Sequence, residues 1–139
     1  DPIRRHVAKQ ALEELIKDQG GIAGLPSSDQ DMIEELRALK KSVTSNIENF
    51  RLHEAALELY QYIWHSFADH HLEEAKRSFT SAGGPGNTTG FPHYQLIKLV
   101  YLDLLKLLHP FMPFITEEIY QKLTNSKEKK FLMVAKWPV

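Results

Sequence analysis

Leu104-Leu105-Lys106-Leu107-Leu108-His109-Pro110-Phe111-Met112-Pro113-Phe114-Ile115-Thr116-Glu117-Glu118-Ile119-Tyr120 is the stretch on which the rest of the chain turns. It begins as the end of a helix that is apolar almost all round. Upstream, Gln95, Lys98 and Asp103 join Lys106 and His109 in a narrow polar stripe at helical periodicity. A helix with so little polar face belongs in the middle of a bundle, touching neighbours on several sides. Pro110 ends it, because proline has no N–H to donate and pushes the preceding residue away from helical dihedrals. Pro113 fits the first turn of a new helix, and Thr116, Glu117 and Glu118 suit a start whose dipole favours oxygen and negative charge. The expectation is a buried helix, a sharp elbow packing Phe111, Phe114 and Ile119, and a second helix.

That second helix should run to about residue 124, followed by a polar, basic turn over 124–130. Phe131 to Ala135 reads as a short extended segment closing on Trp137-Pro138. Before the buried helix (about 93–109), Thr80 to Pro92 is rich in Gly, Pro and Ser and reads as a linker. A phosphate loop would need Gly-Lys-Ser/Thr at a helix start, whereas Gly90 is followed by Phe91-Pro92. A long helix over about 53–79 carries Ala56, Leu59, Tyr60, Ile63, Trp64, Phe67, Ala75 and Phe79, with Trp64 and Phe67 as its large anchors. Its apolar stripe drifts around the axis, which predicts a bend or a change of partners. Residues 29–49 carry a clean stripe, Met32, Ile33, Leu36, Leu39, Val43, Ile47 and Phe50, with Ser28 or Asp29 as cap. Arg37, Lys41, Ser45 and Glu48 face the other way, and Lys40 lies on the flank. Residues 20–28 are a connector by their glycines and proline, and residues 1–19 a first helix. The chain therefore reads as one all-α domain over 1–139: an antiparallel bundle of four or five helices with a short extended C-terminal segment.

Composition bounds the function. With 139 residues, 42% hydrophobic and 25% charged, this is an ordinary globular domain. Cysteine is absent, which removes disulfides and thiolate sites. No apolar run reaches a membrane span and no secretory signal is visible, so the cytoplasm is expected. The net charge is −1 and the pI about 6.7, so any nucleic-acid contact must be local.

No catalytic constellation emerges. His65 and Asp69 stand four apart with His70 and His71 beside them, but a zinc site needs three or four converging ligands, and structural or surface histidines are the better reading. Ser66, Ser78 and Ser81 lack a nucleophile elbow. Glu117 and Glu118 diverge on a helix and serve its dipole. Neither a catalytic residue nor a metal ligand is expected.

The elbow stretch, together with Ile47-Glu48-Asn49-Phe50-Arg51-Leu52-His53-Glu54-Ala55-Ala56, the run Leu59-Tyr60 to Ile63-Trp64-His65-Ser66-Phe67, and Phe131 to Pro138, resembles the anticodon-binding domain of class I aminoacyl-tRNA synthetases, the valyl form above all. The resemblance is clearest over 29–139. It departs where Asp31 and Glu35 stand for a tryptophan and an arginine, and where His70-His71 replace Trp-Tyr. It implies a non-catalytic part of a longer valine–tRNA ligase, whose absent catalytic domain would use ATP and magnesium. The implied partners are that domain and the anticodon arm of a valine-accepting tRNA.

RNA binding needs cations for phosphates and flat groups for unpaired bases. The turn Asn49-Phe50-Arg51-Leu52-His53, beside Arg37, Lys40 and Lys41, offers both within a short reach. Phe50 also reads as a core residue closing its helix's stripe. Lys76, Arg77, Lys127, Lys129 and Lys130 are second choices. Two alternatives stay open: the same domain of an isoleucyl or leucyl enzyme, and a helical protein-interaction module using Tyr62, Tyr94 and Trp137.

Overall fold

The computed structural model describes residues 25–81, 91–124 and 131–138. Helix α1 spans Ser27–Glu48. Helix α2, Leu52–Gln61, runs without a break into a π-helical segment, Tyr62–Leu72, and then into α3, Glu73–Ser81. Helix α4 is Phe91–Leu108, α5 is Pro113–Thr124, and a 3₁₀ turn covers Leu132–Val134. There is no strand among the described residues. The first helix expected over 1–19, most of the linker and the 125–130 turn lie outside them.

Side-chain pairs fix how the rods run. Asp29 meets His93 at 2.5 Å, and Lys40 meets Asp103 at 2.5 Å, eleven residues on in α1 and ten on in α4. These two helices are therefore parallel. The rod between them runs the other way: Glu58 of α2 bonds Ser42 and Asn46, and His71 of the π segment donates to Glu35 at 3.0 Å. Asp29 is thus no cap. It is drawn into the helix by His93, and α1 starts at Pro26 without a side-chain cap.

The stripe of α1 is buried as expected, and Leu104, Leu105 and Leu107 of α4 are buried together. Three leucines within four positions go under only when neighbours cover several sides, so α4 is the central helix. Each such side chain contributes about 1.5–3 kcal/mol by leaving water.

The drifting stripe has a different cause from a bend. Buried positions in the rod run Ala55, Leu59, Tyr62, then Phe67 and His71. Steps of four and three suit an α-helix. The steps of five and four inside the π segment suit its wider i→i+5 turn. Widening the bore brings Tyr62, Phe67 and His71 back onto one face, and Phe67 stacks on Tyr101 with ring centroids 5.8 Å apart. Trp64 is no anchor: it stays 57% exposed and stacks on Tyr60. Burial, and after it the charge of Glu35, pushes the Tyr62 phenol up, so it stays protonated.

The elbow forms where the prolines place it. Helix α4 stops at Leu108 and Pro113 opens α5. Thr116 is 1% exposed, and its hydroxyl donates to Met112 O at 2.8 Å while accepting from His109 Nδ1 at 2.8 Å. Since a hydroxyl has a single proton, His109 must be the donor in that pair. Phe111 packs on the core, but Phe114 does not, being 91% exposed. Thr116 takes the inward position, and a residue two back lies about 200° away around the helix.

The C-terminal segment is a 3₁₀ turn with extended flanks rather than a strand-like run. Glu117 explains it. Its carboxylate, one turn into α5, accepts the Leu132 N–H at 2.7 Å and so caps that turn instead of serving its own helix start. Trp137 packs on the core and donates to Thr44 Oγ1 at 2.8 Å. Among the described residues no helix is long and apolar enough to cross a membrane, and no group of three or more His, Cys, Asp or Glu side chains is placed to hold a metal ion.

Candidate nucleic-acid interface

The turn between α1 and α2 is built on one unusual residue. Phe50 has φ 59°, the left-handed region that a bulky side chain avoids. Reversed neighbours hold it there. Asn49 N–H donates to Ser45 O at 3.1 Å, Phe50 N–H to Ile47 O at 3.0 Å, and Arg51 N–H to Asn46 O at 2.8 Å. The Asn49 amide adds a bond to Ser45 O at 2.7 Å. The backbone flip takes Phe50 off the wheel that buries its helix's stripe. Its ring ends 91% exposed, so the expectation that it closes the core is not met, and Ile47 is the last core-packed member.

Around the ring stand Arg51, Leu52 and His53, all exposed. Arg51 Nε donates to Asn46 Oδ1 at 3.0 Å. Beside it an open groove of about 460 Å³ runs between α1 and α2, lined by Asn46, Arg51, Glu54, Leu57, Glu58 and Gln61. Lys41 is exposed, and like Arg51 it has no carboxylate partner among the described residues.

The remaining candidates fare differently. Arg37 pairs with Glu34 at 2.9 Å on the outer face of α1, well before the turn. Lys40 is turned into the bundle and neutralised by Asp103, which also binds Lys106 at 2.8 Å. Burial pushes the Asp103 carboxyl up, but the Lys106 and Lys40 charges outweigh it and hold the group below its usual range. Of the second choices, Lys76 pairs with Glu73 at 2.5 Å, and with Arg77 it sits on α3, near the far end of the bundle. Lys127, Lys129 and Lys130 lie outside the described residues.

Sequence reasoning did not find a second feature at this end. Because α1 and α4 are parallel, the 49–51 turn and the 109–112 elbow crown the same end. An apolar cleft of about 220 Å³ opens there between Ala56, Tyr60, Ile63 and Trp64 on one side and Leu108, Phe111 and Met112 on the other. The signal was present: Tyr60 and Trp64 stand four apart on one helix, and they stack with planes 4° apart. Of the aromatics proposed for a protein-interaction module, Tyr62 is buried and Trp137 is packed, leaving Tyr94 exposed.

Residues 29–139 match the family model described as the anticodon-binding domain of tRNA ligase. The chain belongs to that family.

Within it, the member is similar to valine–tRNA ligases, as the resemblance in the sequence implied. It is 40% identical over 114 residues to that of Carboxydothermus hydrogenoformans, covering 82% of this chain and 12% of the relative. It is 34% identical over 117 residues to the chloroplastic/mitochondrial valine–tRNA ligase 2 of Arabidopsis thaliana, 84% of this chain and 12% of the relative. The Petrotoga mobilis valine–tRNA ligase is 32% identical over 124 residues, 89% of this chain and 13% of the relative. The chain thus spans about an eighth of the length of these relatives. Glu35 and His71, two positions at which the sequence departs from the resemblance, are bonded to each other across the helices.

Proposed function

We propose that this chain grips the anticodon arm of a valine-accepting tRNA and presents it to the catalytic domain of a cytoplasmic valine–tRNA ligase, where ATP and magnesium serve the reaction. Family membership and the name of the relatives support the tRNA and the amino acid. The observation that carries the reading to residues is the Phe50 turn. A strained, outward aromatic beside a guanidinium with no carboxylate partner among the described residues suits stacking on an unpaired base with a phosphate contact next to it. Phe50 stacks, Arg51 and Lys41 contact phosphate, and Asn49 and His53 flank them.

Titrating a labelled valine-tRNA anticodon stem-loop into the chain at several salt concentrations tests this. Each phosphate contact contributes about 0.7–0.9 to the slope of log K against log salt. Arg51→Ala and Lys41→Ala should each remove about that much. Equal affinity for an unrelated stem-loop, or full slopes in both variants, would place the RNA elsewhere.

The apolar cleft favours a second contact, with protein. No lysine or arginine lines it, and Trp64 stands at its rim. The occupant we propose is the remainder of the same ligase. Trp64→Ala should then leave stem-loop binding intact while weakening aminoacylation by the full-length enzyme.

A further inference from the structure

Arg51 is held by a chain of hydrogen bonds that begins two helical turns away. Ser42 Oγ–H donates to one oxygen of Glu58 at 2.6 Å, and the Asn46 amide N–H donates to the other at 3.1 Å. With its Nδ2 committed to that carboxylate, Asn46 has its carbonyl oxygen facing Arg51 Nε–H, at 3.0 Å. The same residue accepts the Arg51 backbone N–H at 2.8 Å. A flipped Asn46 amide would set oxygen against carboxylate and N–H against guanidinium, so the Glu58 charge fixes its orientation.

The consequence lies in what is left over. A guanidinium has five N–H donors in a rigid plane. Asn46 takes the one on Nε, and the four on the terminal nitrogens have no partner among the described residues. Held so, the fork is presented as the parallel pair of N–H groups that binds two phosphate oxygens at once.

We infer that Glu58 and Asn46 are positioning residues, which lock Arg51 with its terminal N–H groups toward RNA phosphate before the RNA arrives. The inference rests on the proposed reading of Arg51 as an RNA contact. It adds that the affinity of that contact depends on two residues that touch no RNA. Without the relay, binding must order a long side chain, which weakens affinity by roughly three- to tenfold.

Glu58→Met removes the acceptor of the Asn46 amide N–H, so Asn46 is no longer held with its carbonyl oxygen toward Arg51. Stem-loop affinity should fall about three- to tenfold. Removal of a negative charge would on its own tighten RNA binding, so the sign separates the two effects. Glu58→Gln removes the same charge but keeps the relay, its carbonyl accepting from Asn46 and its N–H donating to the Ser42 oxygen; affinity should stay within about twofold of the parent or rise. In an Arg51→Ala background, Glu58→Met should cost nothing further, as coupled residues in a double-mutant cycle behave. An unchanged affinity in Glu58→Met, an equal loss in Glu58→Gln, or the same loss with and without Arg51 would overturn the proposal. If Arg51→Ala itself binds with full affinity and slope, the reading of Arg51 fails first and the positioning proposal falls with it.

Discussion

Phe50 gains nothing for the folded chain from the conformation it holds. A left-handed backbone costs a side chain with a β-carbon about 1–2 kcal/mol, and an exposed ring recovers none of that by burial. Phe50→Gly should therefore stabilise the domain by about 1 kcal/mol in urea unfolding. The same variant should weaken stem-loop binding by the loss of one stacked base, about 1–3 kcal/mol. A lowered unfolding midpoint would show that the ring is packed after all. The sequence displayed the candidates of this turn but not their fates. A helical wheel placed Phe50 at the end of a buried stripe, and no side-chain periodicity reports a reversal of the backbone. Lys40 and Lys41 are adjacent and alike on paper. Asp103, 63 positions further on, takes one and leaves the other.

Two ion pairs tie α1 to α4, and they answer to pH in opposite senses. Asp103 has a lowered folded pKa, so its contribution is present above the ordinary carboxylate value and is lost as pH falls through the lowered one. His93 is raised, by its bond to Asp29 against some burial, so its contribution is present below the ordinary histidine value and is lost as pH rises through the raised one. Asp103→Asn should cost about 1–2 kcal/mol near neutrality, with the difference from the parent closing in acid. His93→Gln should cost most in mild acid and progressively less above neutral pH. A pH series of melting curves for each variant checks both. At the elbow, Thr116→Val leaves the His109 N–H without an acceptor and should cost about 1–3 kcal/mol, whereas the prolines set only where the helices stop. Helix positions and the elbow were legible because proline and apolar spacing act locally. The π segment was visible only as a drift, and its cause needed the partner face. Glu117 capping the turn at Leu132 joins residues 15 apart, which no local pattern encodes.

For the molecule as a whole, near-neutral charge and RNA binding are compatible because carboxylates pair with several of the cations away from the turn. Arg37, Lys40, Lys76 and Lys122 all have acidic partners, while Lys41 and Arg51 have none among the described residues. Lowering the salt should thus raise affinity with a slope set by a few contacts rather than by net charge. The proposed function also expects the isolated chain to show no valine-dependent exchange of pyrophosphate into ATP; measurable exchange would overturn the reading that the chemistry resides elsewhere. The π segment has one more consequence. A wide-bore helix holds its amide protons in poorer hydrogen-bond geometry than the α-helical turns on either side. Deuterium should therefore enter the rod first at its middle, around residues 66–72, and only later in α2, whose amides sit beside the Ser42–Glu58–Asn46 contacts. The rod would breathe from its centre, so its two ends, the Phe50 turn and the α3 end, can shift against each other without the bundle coming apart.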